Sequence, residues 1–205
     1  MNYVDFKKKM QDLLCFNLNQ IYAVDAKFDR TNLVRWKKKG YLISLRSGYY
    51  TFSDSLGKPD LAYFFANQIY QPSYVSLHTA MAFYGIIPES VVQITSVSSL
   101  KTAFFQNPFG EFSYKNMKSE LIFGYDLKPM AQHRNFLFAT PEKAILDLLY
   151  LYPFYNNESE IKELRFDENF MQDDLSVERL NDFAEQFKSK ALRKRVDLLL
   201  KIHEL

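Results

Sequence analysis

Arg30, Thr31, Asn32 and Arg35 crowd into one short stretch of the chain, and Lys37, Lys38 and Lys39 follow directly. These residue types suit the surface of double-stranded DNA. A guanidinium can donate a fork to the O6 and N7 edge of guanine, and an asparagine amide can pair with the N6 and N7 edge of adenine. Lysines hold phosphates and release their counterions. In a helix-turn-helix the first residues of the recognition helix reach the bases, while basic residues around them fix the register on the backbone. Leu33 and Trp36, at i and i+3, can point inward and leave Arg30, Thr31, Asn32, Arg35, Lys38 and Lys39 outside. The expected DNA-binding set is therefore Arg30, Thr31, Asn32 and Arg35, with Lys37, Lys38, Lys39 and Arg46 on phosphates. A run of charge alone is more simply a solvated helix face. The elements around this one favour the nucleic-acid reading.

Other chemistry has little material. His78, His133 and His203 lie far apart and Cys15 is the only cysteine, so no ligand set for a metal is expected. Ser47 and Ser76 sit outside any Gly-x-Ser-x-Gly elbow, and the six glycines form neither of the common phosphate-binding loops. Glu142 and Asp147, five apart on one helix, point to different sides and read as a charge at a helix start and a surface acid. No catalytic constellation emerges, so neither an enzyme nor a cofactor is expected.

The elements that must carry the basic stretch follow from local signals. Residues 2–15 have apolar positions at helical spacing, and a second short helix runs from Gln20 to Val24. Asp29 can cap a third helix over 30–39, which Gly40 ends. Tyr41–Leu45 and Tyr49–Phe52 then flank Arg46-Ser47-Gly48 as a β-hairpin. Three helices and a hairpin make the order of a winged helix-turn-helix. Ser53 to Pro59, with Gly57, reads as a linker.

Beyond it, helices are expected over 60–70, 77–84, 176–188 and 191–203, with Ser76 capping the second of these and Gly85 ending it. Thr140-Pro141-Glu142 is a strong start for a further helix that Pro153 ends. Strands are expected over 91–97, 111–114, 121–125 and 136–139, forming a small antiparallel sheet. The fold class is therefore α+β, with a winged helix in residues 1–55 and a mixed α/β domain with C-terminal helices in 56–205. Phe104, Phe105, Phe109, Phe112 and Tyr114 read either as core of this sheet or as a protein-binding surface.

The 205 residues are 47% hydrophobic and 24% charged, which excludes a disordered chain. The net charge of +2 is unevenly spread. Residues 1–52 hold ten Lys or Arg against four Asp or Glu, whereas the remainder holds sixteen against twenty. Lys7, Lys8 and Lys9 are followed by an interrupted apolar stretch rather than a signal sequence, and no run of about 18 apolar residues suits a membrane span. A cytoplasmic protein is expected. The acidic segment 158–185 and the basic segment 188–195 read as solvated helix faces.

Three motifs bear a wider likeness. The first runs from Leu33 through Trp36, Gly40 and Leu42 to Arg46-Ser47-Gly48-Tyr49-Tyr50. The second is Tyr74-Val75-Ser76-Leu77-His78-Thr79-Ala80-Met81 with Tyr84-Gly85-Ile86-Ile87-Pro88. The third is Ala139-Thr140-Pro141-Glu142-Lys143-Ala144-Ile145-Leu146-Asp147-Leu148. In this order they resemble the AbiEi-type antitoxins of abortive-infection systems, over roughly residues 16–153. The resemblance implies a type IV antitoxin whose N-terminal domain binds its own promoter. Its C-terminal domain would counter a nucleotidyltransferase-like toxin without forming a stable complex. It assigns no antitoxic residue, and the acidic and basic tail has no counterpart in the family pattern. The alternative is a winged-helix adaptor that binds protein or RNA.

Overall fold

A computed structural model describes residues 1–58, 60–130 and 134–205. Asn2 opens the first helix, α1 (Tyr3–Met10), by accepting from the Asp5 amide. A single 3-10 turn and the two-residue strand β1 (Phe16–Asn17) follow. Asn17 and Gln20 bond each other's backbone amides in a reciprocal capping box that starts α2 (Leu18–Val24). After it come α3 (Thr31–Lys38), β2 (Leu42–Arg46) and β3 (Tyr49–Phe52). Gly40 ends α3 at φ +71°, a conformation that a side chain would strain. The strands form an antiparallel sheet in the order β1-β3-β2. β1 has no counterpart among the expected elements, since two residues are too short to display an alternating pattern.

This first group packs around Phe6. Its ring lies 4.8 Å from Trp36, 5.5 Å from both Phe16 and Phe28, and 5.9 Å from Phe52. Met10, Ile21, Leu33 and Leu42 complete the cluster. Every helix and the sheet therefore contribute to one core, which fixes α3 relative to the hairpin.

The rest of the chain has a separate and larger core. Its elements are α4 (Asp60–Ile69), β4 (Ser73–Val75), α5 (Leu77–Phe83), β5 (Ile94–Ser98), β6 (Ala103–Asn107) and β7 (Gly110–Asn116). They continue with β8 (Tyr125–Met130), β9 (Arg134–Ala139), α6 (Pro141–Leu151), α7 (Glu158–Lys162), α8 (Val177–Gln186) and α9 (Lys190–Ile202). The protein is thus α+β, but its second sheet is neither small nor antiparallel. Six strands lie in the order β6-β7-β5-β4-β9-β8, and the pairs β5/β7 and β4/β9 are parallel. Local alternation marks a strand without naming its neighbour, so the sequence leaves this mixture hidden.

The strand expected over 121–125 also differs. Leu121 closes a 3-10 turn, and the strand begins at Tyr125. β8 lies at the sheet edge, where Pro129 is tolerated. The sheet has a layer on each side. Ser73 bonds the Ala66 carbonyl of α4, whereas its neighbour Tyr74, on the opposite side of the pleat, reaches Asp147 of α6. Helices α8 and α9 pack against α6. No helix among the described residues is long and apolar enough to cross a membrane.

Candidate nucleic-acid interface

Asp29 organises the start of α3. One carboxylate oxygen accepts from the Thr31 amide at 2.9 Å and the other from the Thr31 hydroxyl at 2.6 Å. These bonds hold the Asp29 carboxyl below its usual range. They also commit the Thr31 hydroxyl to the helix start. Leu33 and Trp36 are buried, 3% exposed each, and seat the helix on the first core.

Arg30, Thr31, Arg35, Lys37, Lys38 and Lys39 are all exposed along α3 and its ends. Asn32 is not, which corrects the expectation that it faces outward. It is buried, and its amide oxygen accepts from the Arg35 guanidinium. The reason is periodicity: Asn32 lies four residues before Trp36 and so shares its face. It can orient Arg35 but not read adenine directly. Val34, absent from the expected set, is 57% exposed between Arg30, Thr31, Arg35, Lys37 and Lys38. An apolar side chain carries no hydrogen-bonding signal for a base or a phosphate.

Arg46 lies elsewhere. Its guanidinium carbon is 4.7 Å from the ring centre of Tyr49, 5.3 Å from Phe105 and 5.6 Å from Tyr70. The last two rings belong to β6 and to the end of α4. The hairpin is therefore held against the second core at its tip, beside the turn at Ser47 and Gly48. Asn107 donates to the Leu45 carbonyl at 3.0 Å, and Arg134 donates to the Asp12 carbonyl, so two hydrogen bonds join the two parts beside the ring contacts of Arg46. Leu14, Cys15 and Leu45 are buried in the second core as well. Burial pushes the Cys15 thiol up to about 12, which keeps it protonated and unreactive.

A second polar cluster lies deep beneath the sheet. Asp147 accepts from the Tyr74 hydroxyl at 2.8 Å and the Ser76 hydroxyl at 2.7 Å, and pairs with the Lys143 ammonium. The ammonium is further enclosed by the rings of Phe187 at 4.7 Å and Phe123 at 4.8 Å and by the Met117 sulfur. Asp147 is thus not the expected surface acid; it is 0% exposed. Glu142 is buried too, and accepts from the Ser176 amide at the start of α8. Ser76 makes no side-chain bond to α5, because its hydroxyl is given to Asp147. Glu142 lies in the first turn of α6 as expected, whereas the packing of α6 against the sheet explains the corrections at Asp147 and Ser76. Thr140, by contrast, caps α6 as expected, accepting from the Lys143 amide.

Tyr74, Ser76, Lys143 and Asp147 are all 0% exposed. No group of three or more His, Cys, Asp or Glu among the described residues is placed to hold a metal. His78 is half-buried beside Tyr152, and burial lowers its pKa. His203 lies 2.9 Å from a Glu168 carboxylate oxygen, and His133 falls outside the described residues. Of the aromatic group, Phe112 and Tyr114 are fully buried, Phe105 and Phe109 lie against the core, and Phe104 is exposed.

A scan against protein-family models finds no match to this chain, and a search of curated proteins finds none. The likeness to the antitoxin family rests on the three motifs alone. The second and third of these meet in space through the bonds from Tyr74 and Ser76 to Asp147.

Proposed function

We propose that this chain is a DNA-binding transcriptional autoregulator, with its first part a winged helix-turn-helix and α3 the recognition helix. One observation carries the reading: α3 and its ends expose Arg30, Arg35, Lys37, Lys38 and Lys39 on a helix that contains no acid, seated rigidly beside a hairpin. Inserted in the major groove, Arg30 and Arg35 meet base edges and the lysines neutralise phosphates. The three-stranded sheet with order β1-β3-β2 supports the winged-helix assignment.

We propose further that the second part counters a nucleotidyltransferase-like toxin. Its support is the resemblance of residues 74–88 and 139–148 to the antitoxin family, and the packing of both motifs into one core.

A mobility-shift assay with the duplex upstream of the gene tests the first reading. Salt-sensitive binding that is lost with Arg30→Ala and Arg35→Ala together supports it; unchanged affinity in that double variant overturns it. Tight capture of a protein with no DNA binding at low salt would favour the adaptor. Co-expression with a toxin from the adjacent gene tests the second reading, and failure to restore growth overturns it.

A further inference from the structure

We infer that Val34 reads the 5-methyl group of a thymine in the major groove. The inference rests on α3 being the recognition helix and names a base that this helix selects. Val34 is 57% exposed and is the only apolar side chain on the outer face of α3 among the described residues. It takes no part in the core built by Leu33 and Trp36. A shallow depression lined by Thr31, Arg35 and Lys38 lies on one side of it, and one lined by Arg30, Lys37 and Tyr50 on the other.

Its neighbours are disposed to let it project. Arg35 is bonded to Asn32, and the Thr31 hydroxyl is bonded to Asp29. The flanking lysines, Lys38 on one side and Lys37 on the other, are complementary to the phosphates on both walls of a groove, which puts Val34 at its floor. There, the one apolar group that a base pair displays is the thymine methyl. A β-branched side chain in a helix has one strongly preferred rotamer, so Val34 can cover that methyl with little loss of freedom.

The test compares the upstream duplex prepared with thymine and the same duplex prepared with uracil, which differs only by lacking the methyl groups. The native protein is expected to bind the thymine duplex about three- to fivefold more tightly, the worth of one buried methyl group. Val34→Ala should bind the two duplexes alike. Because Val34 is exposed, this variant keeps the fold. An equal preference for thymine in both proteins overturns the inference. So does a change in self-association in Val34→Ala that leaves the preference intact, which would make Val34 a contact between copies. Failure of the native protein to bind either duplex at low salt overturns the recognition-helix reading itself.

Discussion

Lys143 and Asp147, one turn apart on α6, form an ion pair from which water is wholly excluded, both side chains being 0% exposed. Burial pulls the pKa of Lys143 down and pushes that of Asp147 up, each opposed by the charge of the other. Such a pair adds little net stability, since desolvation offsets the attraction, but losing one partner strands a charge. Asp147 also binds the hydroxyls of Tyr74 and Ser76, so the pair links α6 to the strand and turn that precede α5.

Lys143→Met should therefore destabilise the protein by about 3–5 kcal/mol in urea unfolding. Adding Asp147→Asn removes the stranded charge yet keeps an acceptor for Tyr74 and Ser76, and should recover most of the loss. Equal instability of the single and double variants would argue against this account.

The same single variant should acquire a distinctive pH dependence. Without its ammonium partner, the Asp147 carboxyl stays above its ordinary range through burial. The native state then retains a proton that the unfolded chain releases. Stability is full below the ordinary carboxylate range and declines as pH rises through the folded-state value. Denaturation midpoints across pH read this directly.

For the proposed DNA interface, Lys37→Ala, Lys38→Ala and Lys39→Ala should each weaken binding to all sequences alike and lower the slope of log affinity against log salt by about one. Arg30→Ala and Arg35→Ala should instead each cost about 1–3 kcal/mol of discrimination between bases. Titrations on upstream and unrelated duplexes separate the two behaviours.

Arg46 offers a contrast. Surrounded by Tyr49, Tyr70 and Phe105, it should act on stability, so Arg46→Ala is expected to cost about 1–2 kcal/mol. The salt slope of DNA binding should stay unchanged; a fall of one would identify a phosphate contact.

Asp29 ties the start of α3 to pH. Its carboxyl is held below the usual range by the Thr31 hydroxyl and amide. The stabilisation of the start of α3 is thus present above the ordinary carboxylate range and lost as pH falls through the lowered value. Asp29→Ala should abolish that dependence and fray the first turn, seen as faster amide exchange at Thr31 and Asn32.

Signals that act within a few residues were legible in the sequence. Asp29 before Thr31, Gly40 after Lys39 and Thr140 before Pro141 mark helix ends through bonds or backbone angles that need no distant partner. The exposure of Arg30, Thr31, Arg35, Lys38 and Lys39 followed in the same way, from the inward spacing of Leu33 and Trp36. Periodicity also carried a sign of the burial of Asn32, through its distance from Trp36.

What only the tertiary structure decided depends on residues far apart in the chain. Tyr74 and Asp147 are 73 positions apart, and nothing local to either indicates the other. The parallel pairings of β4 with β9 and β5 with β7 bring together strands whose own patterns are compatible with any neighbour. Asp147 has the chemistry of a surface acid until α8, α9 and the sheet close over α6. Arg46 has that of a phosphate contact until the second core supplies its rings. Burial is a property of the assembled layers, and it changed the meaning of the very charges that the sequence had identified correctly by type.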